Sequence, residues 1–419
     1  LAKDESLTFK ELLERSPDYR KFHPTHVMET GYDILFFWVA RMILMTTYMV
    51  RRVPFETVYL HGLVRTRGGK KMSKSDPETC IDPLESIRDY GTDALRLALI
   101  QGTGPGQDLR LYPEKLESCR RFANKVWNAG RYILMTIPDG TSLDPPEEVQ
   151  AEHAQWLLQE LDSLTTRIQK GLEAFRLADV IDTLRVFFWG TFCDWYLEMD
   201  KRPERRAEDN RVLAYAFATQ LKLLHPYIPF VTEALWDKFS QESMLAVAPW
   251  PKSRGYSFQE SHRKLELVRE AISQIRTLRE KARLGLNQQT DAFIDTCMHA
   301  DVFQTHREMI MQLCRLNELN VREVKAEPRG DTLESYFSDS LVRIDASATD
   351  WKQEISKLQK QLENEIAFLE KSRKKLENSG FLNNAPENIV SELREKVEST
   401  EKTIDALRRQ VGEMEALAN

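Results

Sequence analysis

The sequence predicts a multidomain chain, α/β in its first part and mostly α-helical after it. Three observations lead there. Short strand-like runs flank an apolar helix-like segment within residues 26–61, apolar residues recur every three or four positions through 113–250, and a heptad repeat runs from 351 to 411. The length of 419 residues suggests about three domains. With 42% hydrophobic and 30% charged residues, and Gly and Pro at 17 each, a disordered or collagen-like chain is excluded. The net charge of −6 gives no general basicity, so any nucleic-acid contact must come from local patches.

The elements follow in order. His26-Val27-Met28-Glu29-Thr30 and Thr57-Val58-Tyr59-Leu60-His61 are β-type runs that stop just before Gly31 and Gly62, with a helix-like segment at 33–50 between them. Strand, helix, strand is the pattern of a parallel sheet, whose ligands sit at the carboxyl ends of the strands. Helices are expected over 114–135, 150–173, 177–199 and 208–239, the first two separated by the proline-rich break Pro138 to Pro146. His225-Pro226-Tyr227-Ile228-Pro229 should kink the last. Residues 261–286 read as a basic helix with seven Lys/Arg against three Glu, and 290–346 as a small mixed unit with strands at Ala292–Asp295 and Leu341–Ile344.

The tail carries the clearest pattern. Ile355, Leu362, Leu369 and Leu376 recur every seven residues, with Trp351 and Leu358 at d. After a loop at 378–388 the repeat resumes with Val390, Val397, Ile404 and Val411, and with Leu393, Leu407 and Met414 at d. Two such stretches joined by a short loop make an antiparallel hairpin. Glu365, Ser372 and Thr400 weaken its seam. Its 12 Lys/Arg and 13 Asp/Glu point to no partner, and Lys371, Arg373, Lys374 and Lys375 form its local basic spot.

Five cysteines with no CxxC pair argue against a zinc module or a redox dithiol and fit a reducing cytosol, so no metal-ligating set is expected. The apolar stretch Ile34 to Val50, interrupted by Arg41, falls short of the roughly 18 uncharged residues of a membrane span. No basic segment followed by an apolar h-region opens the sequence, so no signal peptide is expected.

Chemistry is expected at Gly68-Gly69-Lys70-Lys71-Met72-Ser73-Lys74-Ser75. Two glycines free the backbone, and three lysines within five residues can close on a polyphosphate while the serines bond its oxygens. Residues 51–75 carry seven Lys/Arg and one Glu. Without further context, such a loop is more often a solvated surface loop.

Lys71-Met72-Ser73-Lys74-Ser75 resembles the KMSKS signature of class I aminoacyl-tRNA synthetases. Its surroundings resemble the valyl type: Thr30 to Met42, His61-Gly62-Leu63-Val64, Ile81-Asp82-Pro83, Tyr90 to Arg96, Phe122 to Asn128, Phe192 to Tyr196, His225 to Phe230 and Ile275 to Arg279. Isoleucyl enzymes usually end in a cysteine-ligated zinc module and leucyl enzymes lack a long terminal hairpin, so Gly31-Tyr32-Asp33-Ile34 with the heptads favours valyl.

The resemblance implies a domain order: 1–112 as the later part of a Rossmann-type catalytic sheet with the KMSKS loop, 113–260 as a helical anticodon-binding domain, 261–347 as a small junction, and 348–419 as a coiled-coil tRNA-binding arm. It implies that Gly31 and Asp33 lie against the ATP ribose and that His61 and Gly62 face the adenine. It places Lys71 and Lys74 on the phosphates with Ser73 and Ser75, Lys71 and Lys74 being the catalytic pair. Trp38 would line the amino-acid pocket, although an aromatic on an apolar helix is more often core. Trp127, Trp195 and Trp236 are expected in the core of the bundle. ATP, Mg2+, valine and tRNA(Val) are the implied partners, with no membrane, a cytoplasmic location, and a monomer when complete.

Two departures qualify this. Asp76-Pro77-Glu78-Thr79-Cys80 puts five residues, without glycine, where the family usually has four, and six Asp/Glu against one Arg fill 76–93. Altered loop closure is expected. The family's His-x-Gly-His and its editing insertion do not occur in the sequence, and the first residue is Leu1. The chain is thus expected to be the C-terminal half of a valine–tRNA ligase, inactive alone. The rival reading is a non-catalytic tRNA-binding protein derived from a synthetase. An unrelated nucleotidyltransferase would leave the bundle and hairpin unexplained.

Overall fold

The computed structural model describes residues 6–72, 81–201, 205–239, 243–285, 287–325, 333–345, 351–377 and 387–418. It divides into two units, Leu1–His262 and Arg263–Asn419.

In the first unit, α1 (Phe9–Arg15) starts at a capping box between Thr8 and Glu11, and α2 (Pro17–Phe22) at the Ser16 cap. β1 (Thr25–Gly31) and β2 (Phe55–His61) pair in parallel, in register from Thr25 opposite Phe55 to Gly31 opposite His61. Between them the chain is helical from Tyr32 to Val50: a 3-10 turn (Tyr32–Ile34), a π-helical turn (Leu35–Val39) and α3 (Ala40–Val50), which stops at Arg51 in the left-handed region. This corrects the expectation for the apolar stretch. Counted from Tyr32 it has 19 helical residues and a mean hydropathy of 1.5, long and apolar enough to cross a membrane by length and composition. Its flanking strands argue for a β–α–β crossover instead. They pair along their whole length, and a bilayer crossing would draw their open edges into hydrocarbon.

β3 (Val64–Arg65) follows β2 directly and pairs in parallel with β4 (Leu109–Arg110). Between these lie α4 (Pro83–Tyr90), begun by Pro83 and by Asp82 accepting from the Leu84 N–H at 2.7 Å, and α5 (Thr92–Ile100).

The bundle comprises α6 (Pro113–Thr136), α7 (Glu152–Glu173), α8 (Leu177–Val186), α9 (Leu197–Met199), α10 (Ala207–Leu224) and α11 (Pro229–Phe239). The helix expected over 177–199 widens into π-helical turns at Phe187–Tyr196. A wider turn brings side chains spaced by four closer to one line. Phe188, Phe192 and Tyr196 follow one another there at centroid distances of 5.8 and 5.9 Å, all buried. Trp236 is in the core and Trp195 half-buried, but Trp127 is 38% exposed, which corrects its assignment to the core. The period of α6 points Phe122 and Val126 inward and leaves Trp127 at the rim.

Two motifs distant in sequence meet here. The buried Asp93 carboxylate, on α5, accepts from the Phe230 and Val231 N–H groups at 3.1 and 2.7 Å, in the first turn of α11. Arg96 donates to the Pro226 carbonyl at 3.0 Å.

The second unit takes in most of α12 (Gln259–Lys281). Then come β5 (Thr290–Thr296), α13 (Ala300–Thr305), α14 (Arg307–Cys314), β6 (Leu316–Glu323), β7 (Leu333–Phe337) and β8 (Ser340–Ile344). The strands form one mixed sheet in the order β6-β5-β8-β7. The positive side chains of α12 are not all free for a partner. Arg276 donates to the Leu313 carbonyl at the end of α14, and the buried Arg279 to the carbonyls of Gly285, Gln288 and Arg315. Both arginines are thereby engaged with carbonyl oxygens of this chain's own helix end and turns.

α15 (Trp351–Glu377) and α16 (Glu387–Ala418) pack against each other as the heptads require, with Leu358, Leu407 and Val411 buried against Trp351, Ile355 and Leu362. Ser372 and Thr400 are buried in the seam, and the Thr400 hydroxyl donates to the Lys396 carbonyl of its own helix at 2.8 Å. Arg373, in the basic spot, pairs with Glu401 at 2.6 Å.

Candidate active site at the strand ends

The parallel register brings the carboxyl ends of β1 and β2 side by side, so Gly31 faces His61. A Cβ on Gly31 would lie 2.7 Å from Asp33 Oδ1 and 3.4 Å from His61 Cε1. Gly31, Asp33 and His61 therefore converge, although they come from two segments. The His61 ring sits between the Gly62 carbonyl, 2.8 Å from Nδ1, and Glu29, 3.3 Å from Nε2. Gly62 has a local reason to be glycine. A Cβ there would lie 1.9 Å from the Gln107 carbonyl oxygen, so the close approach it permits is that of the chain's own 107–108 backbone. His61 and Gly62 also line a cavity of about 670 Å³, walled by Tyr59, Leu99, Ile100 and Phe175.

Trp38 stands apart from the cores: it lies on the π-helical turn and is 54% exposed, so the alternative of a core aromatic does not hold. Lys71 is exposed, and its backbone forms an antiparallel β-bridge with that of Arg65 at the foot of the lysine-rich loop. Ser73, Lys74 and Ser75, with the unusual residues 76–80, lie outside the described residues.

Sequence reasoning missed three residues here. Asp108 Oδ1 accepts from Tyr32 Oη at 2.9 Å and from the Leu63 N–H at 2.8 Å, and its other oxygen accepts from Arg65 Nε. The Leu63 N–H first and the Arg65 guanidinium next hold the Asp108 carboxyl at about 2, so it is ionised at any working pH. Arg65 also donates to the Gly69 carbonyl at 3.2 Å. The chain after β3 is a tight hairpin: the Thr66 N–H donates to the Lys70 carbonyl at 2.9 Å, the Gly69 N–H to Thr66 at 3.0 Å, and the Met72 N–H to Val64 at 3.4 Å. Gly69 takes φ of 86°, which a glycine adopts without strain. The available signals were weak: Arg65 counted as one of seven basic residues, and Asp108 follows a glycine-punctuated turn, Gly102 to Gly106.

Elsewhere, His153, Asp200 and Asp209 form a buried group in the bundle whose ligand-type atoms lie within 4.8 Å of one another. Arg205 already pairs with Asp200 and Arg206 with Asp209, which supplies the positive charge that site would otherwise take from an ion.

Three family models match the chain in succession: tRNA synthetases class I (I, L, M and V) over residues 6–112, the anticodon-binding domain of tRNA ligase over 154–294, and the valyl tRNA synthetase tRNA binding arm over 350–415. The chain belongs to the valyl-tRNA synthetase family. A valine–tRNA ligase of Geobacillus kaustophilus (strain HTA426) is 35% identical over 414 residues, 95% of this chain and 46% of the relative. One from Dehalococcoides mccartyi (strain CBDB1) is 34% identical over 417 residues, 94% of this chain and 46% of the relative. The chain thus spans about half the length of the curated relatives it matches. The solved LeuRS chain of an Agrobacterium radiobacter K84 ternary complex overlaps it with a TM-score of 0.46 and 19% identity, over 56% of this chain and 30% of its own.

Proposed function

We propose that this member of the valyl-tRNA synthetase family supplies part of the active site and the tRNA-binding modules of a valine–tRNA ligase. The whole enzyme would activate valine with ATP, release pyrophosphate, and pass the valyl group from the adenylate to the 3′ end of tRNA(Val). The observation that carries this is the convergence of Gly31, Asp33 and His61 at two parallel strand ends, with a lysine-rich hairpin rising from the next strand. In this reading the Asp33 carboxylate accepts from the ribose hydroxyls, His61 and Gly62 face the adenine, and Lys71 and Lys74 with Ser73 and Ser75 hold the phosphates. The lysines would stabilise charge developing on the leaving pyrophosphate. Trp38 would line the valine pocket.

Mg2+ enters by family. Of the described carboxylates around Asp33, Glu29 is engaged with His61 and Asp108 with Tyr32, the Leu63 N–H and Arg65, so the ion would be held mostly by the ATP phosphates and water. Residues 1–112 are proposed as the later part of the catalytic domain, 113–260 as the anticodon-binding domain, 261–347 as a junction and 348–419 as the tRNA-binding arm. The same reading makes the enzyme cytoplasmic and monomeric when complete.

Valine-dependent exchange of pyrophosphate with ATP is the test. It is expected to be undetectable with these 419 residues alone and restored when the remaining half of a relative's length is supplied. Lys74→Ala in the restored enzyme should then lower exchange by about 100-fold. Robust exchange by the chain alone would refute the dependence on a further segment. Exchange indifferent to Lys74→Ala would favour the rival reading, a non-catalytic tRNA-binding protein. Deleting residues 351–419 should weaken tRNA(Val) binding and flatten its salt dependence.

A further inference from the structure

We propose that Arg65 is a positioning residue that fixes where the lysine-rich hairpin leaves the sheet, and that Tyr32 and Arg65 share the Asp108 carboxylate so that this point is set relative to the Gly31–Asp33 segment. The inference rests on reading that hairpin as part of a polyphosphate site.

The geometry is specific. One guanidinium reaches two acceptors in different segments, the Asp108 carboxylate and the Gly69 carbonyl at 3.2 Å. Gly69 immediately precedes Lys70 and Lys71, so a carbonyl held there constrains the direction in which both lysines depart. The other oxygen of Asp108 accepts from Tyr32 at 2.9 Å and from the Leu63 N–H at 2.8 Å. Tyr32 lies between Gly31 and Asp33. A single carboxylate therefore serves as the common reference for the ribose side and the phosphate side of the proposed nucleotide site. Holding groups in register is worth most where charge must be met at a fixed point, because a lysine that has first to find its position gives up part of its interaction in ordering.

Lysine cannot replace Arg65 here. An ammonium on a flexible stem keeps the charge but loses the planar fork that bonds a carboxylate and a carbonyl at once. Asp108→Asn keeps the shape but turns one acceptor into a donor facing the guanidinium.

The experiment uses the full 419-residue chain with Arg65→Lys, Asp108→Asn and Tyr32→Phe. Amide hydrogen exchange is read at Thr66, Gly69 and Met72, whose N–H groups bond within the hairpin base, and titrations with inorganic pyrophosphate and with adenosine follow. Arg65→Lys and Asp108→Asn are expected to speed exchange at those amides about tenfold or more, with core amides of α6 and α7 unchanged. Arg65→Lys should weaken pyrophosphate binding about tenfold and leave adenosine binding unchanged, a split that general destabilisation would not produce. Tyr32→Phe should have a smaller effect of the same kind on hairpin exchange. Unchanged exchange at the hairpin amides in both Arg65→Lys and Asp108→Asn overturns the inference, as does equal weakening of both ligands. If the unsubstituted chain binds no pyrophosphate, it is the phosphate reading that fails, and the exchange data alone then decide for or against Arg65.

Discussion

Asp93 joins the α/β part of the first unit to the bundle across 137 residues of sequence, and the cost of removing it follows from its contacts. The side chain is buried, and its two oxygens accept from the Phe230 and Val231 N–H groups in the first turn of α11, where no intrahelical acceptor exists. In Asp93→Ala both donors are left without the carboxylate, at about 1–3 kcal/mol each. Against that, keeping the carboxylate ionised in a buried site has its own cost: burial is the largest influence on its pKa and pushes it up, outweighing the two N–H groups and Arg96. The net expectation is about 2–3 kcal/mol for Asp93→Ala, and about 1 kcal/mol for Asp93→Asn, which keeps one oxygen for one N–H. Amide hydrogen exchange reads this locally. In Asp93→Ala the Phe230 and Val231 amides should exchange about 30- to 150-fold faster, since each 1.4 kcal/mol is a factor of ten. The Asn variant should fall between that and the parent. Exchange within twofold of the parent at both amides, in a variant whose helix content is unchanged, would refute the claim that this carboxylate holds α11 in place.

Three further outcomes are expected. Burial lowers the pKa of His225 below its ordinary 6.5, with Glu233 and Asp93 pulling weakly the other way, so the unfolded chain takes up the proton first. Stability of the first unit should therefore fall as pH drops through 6.5 toward the folded pKa, and His225→Asn should flatten that slope in urea titrations at pH 7.5 and 5.5. Brief alkylation at pH 8 should modify the exposed Cys297 and spare Cys119, Cys193 and Cys314, the last two pushed up to about 12 by burial; peptide mass mapping checks this, and early labelling of Cys193 would contradict its packing. Gly62→Ala must displace the 107–108 backbone from 1.9 Å and should cost about 3 kcal/mol, whereas a loss under about 0.5 kcal/mol in thermal unfolding would mean that the two segments do not touch.

What the sequence revealed depended on how far apart the interacting residues lie. β1 and β2 were legible because each is a β-type run closed by a glycine, and the terminal hairpin because seven-residue spacing persists through 351–411. β3 and β4 have two residues each, too few for any alternation to register. The burial of Arg279 was invisible for another reason: arginine is usually exposed, and the carbonyls that draw it inward belong to residues 285, 288 and 315. The convergence of Gly31 with His61 could be anticipated from the strand rule, but the Tyr32–Asp108 contact spans 76 residues and the Arg65–Asp108 contact 43, and no local pattern encodes either.

Those unheralded contacts explain how so short a pair of strands can carry a loop whose position matters. β3 and β4 are tied by few backbone bonds, among them the Leu109 N–H to Leu63 and the Leu111 N–H to Arg65, each 2.9 Å. Such a ladder fixes the strand, while the hairpin beyond Arg65, closed by its own backbone bonds such as Met72 N–H to Val64, keeps the freedom to tilt as a unit. The Arg65 side chain removes that freedom by reaching forward to Gly69 while Asp108 holds it from behind. Asp93 does comparable work elsewhere in the unit, taking the N–H groups of a helix distant in sequence. In both places an aspartate is engaged with donors of this chain, whereas Asp33 is exposed at the strand ends, as is Glu29, which faces His61. That division separates residues that set the frame from the one free to meet a ribose, and it is why substitutions at Asp108 and at Asp33 should differ in kind: the first should disorder the hairpin, the second should leave hairpin exchange untouched and weaken adenosine alone.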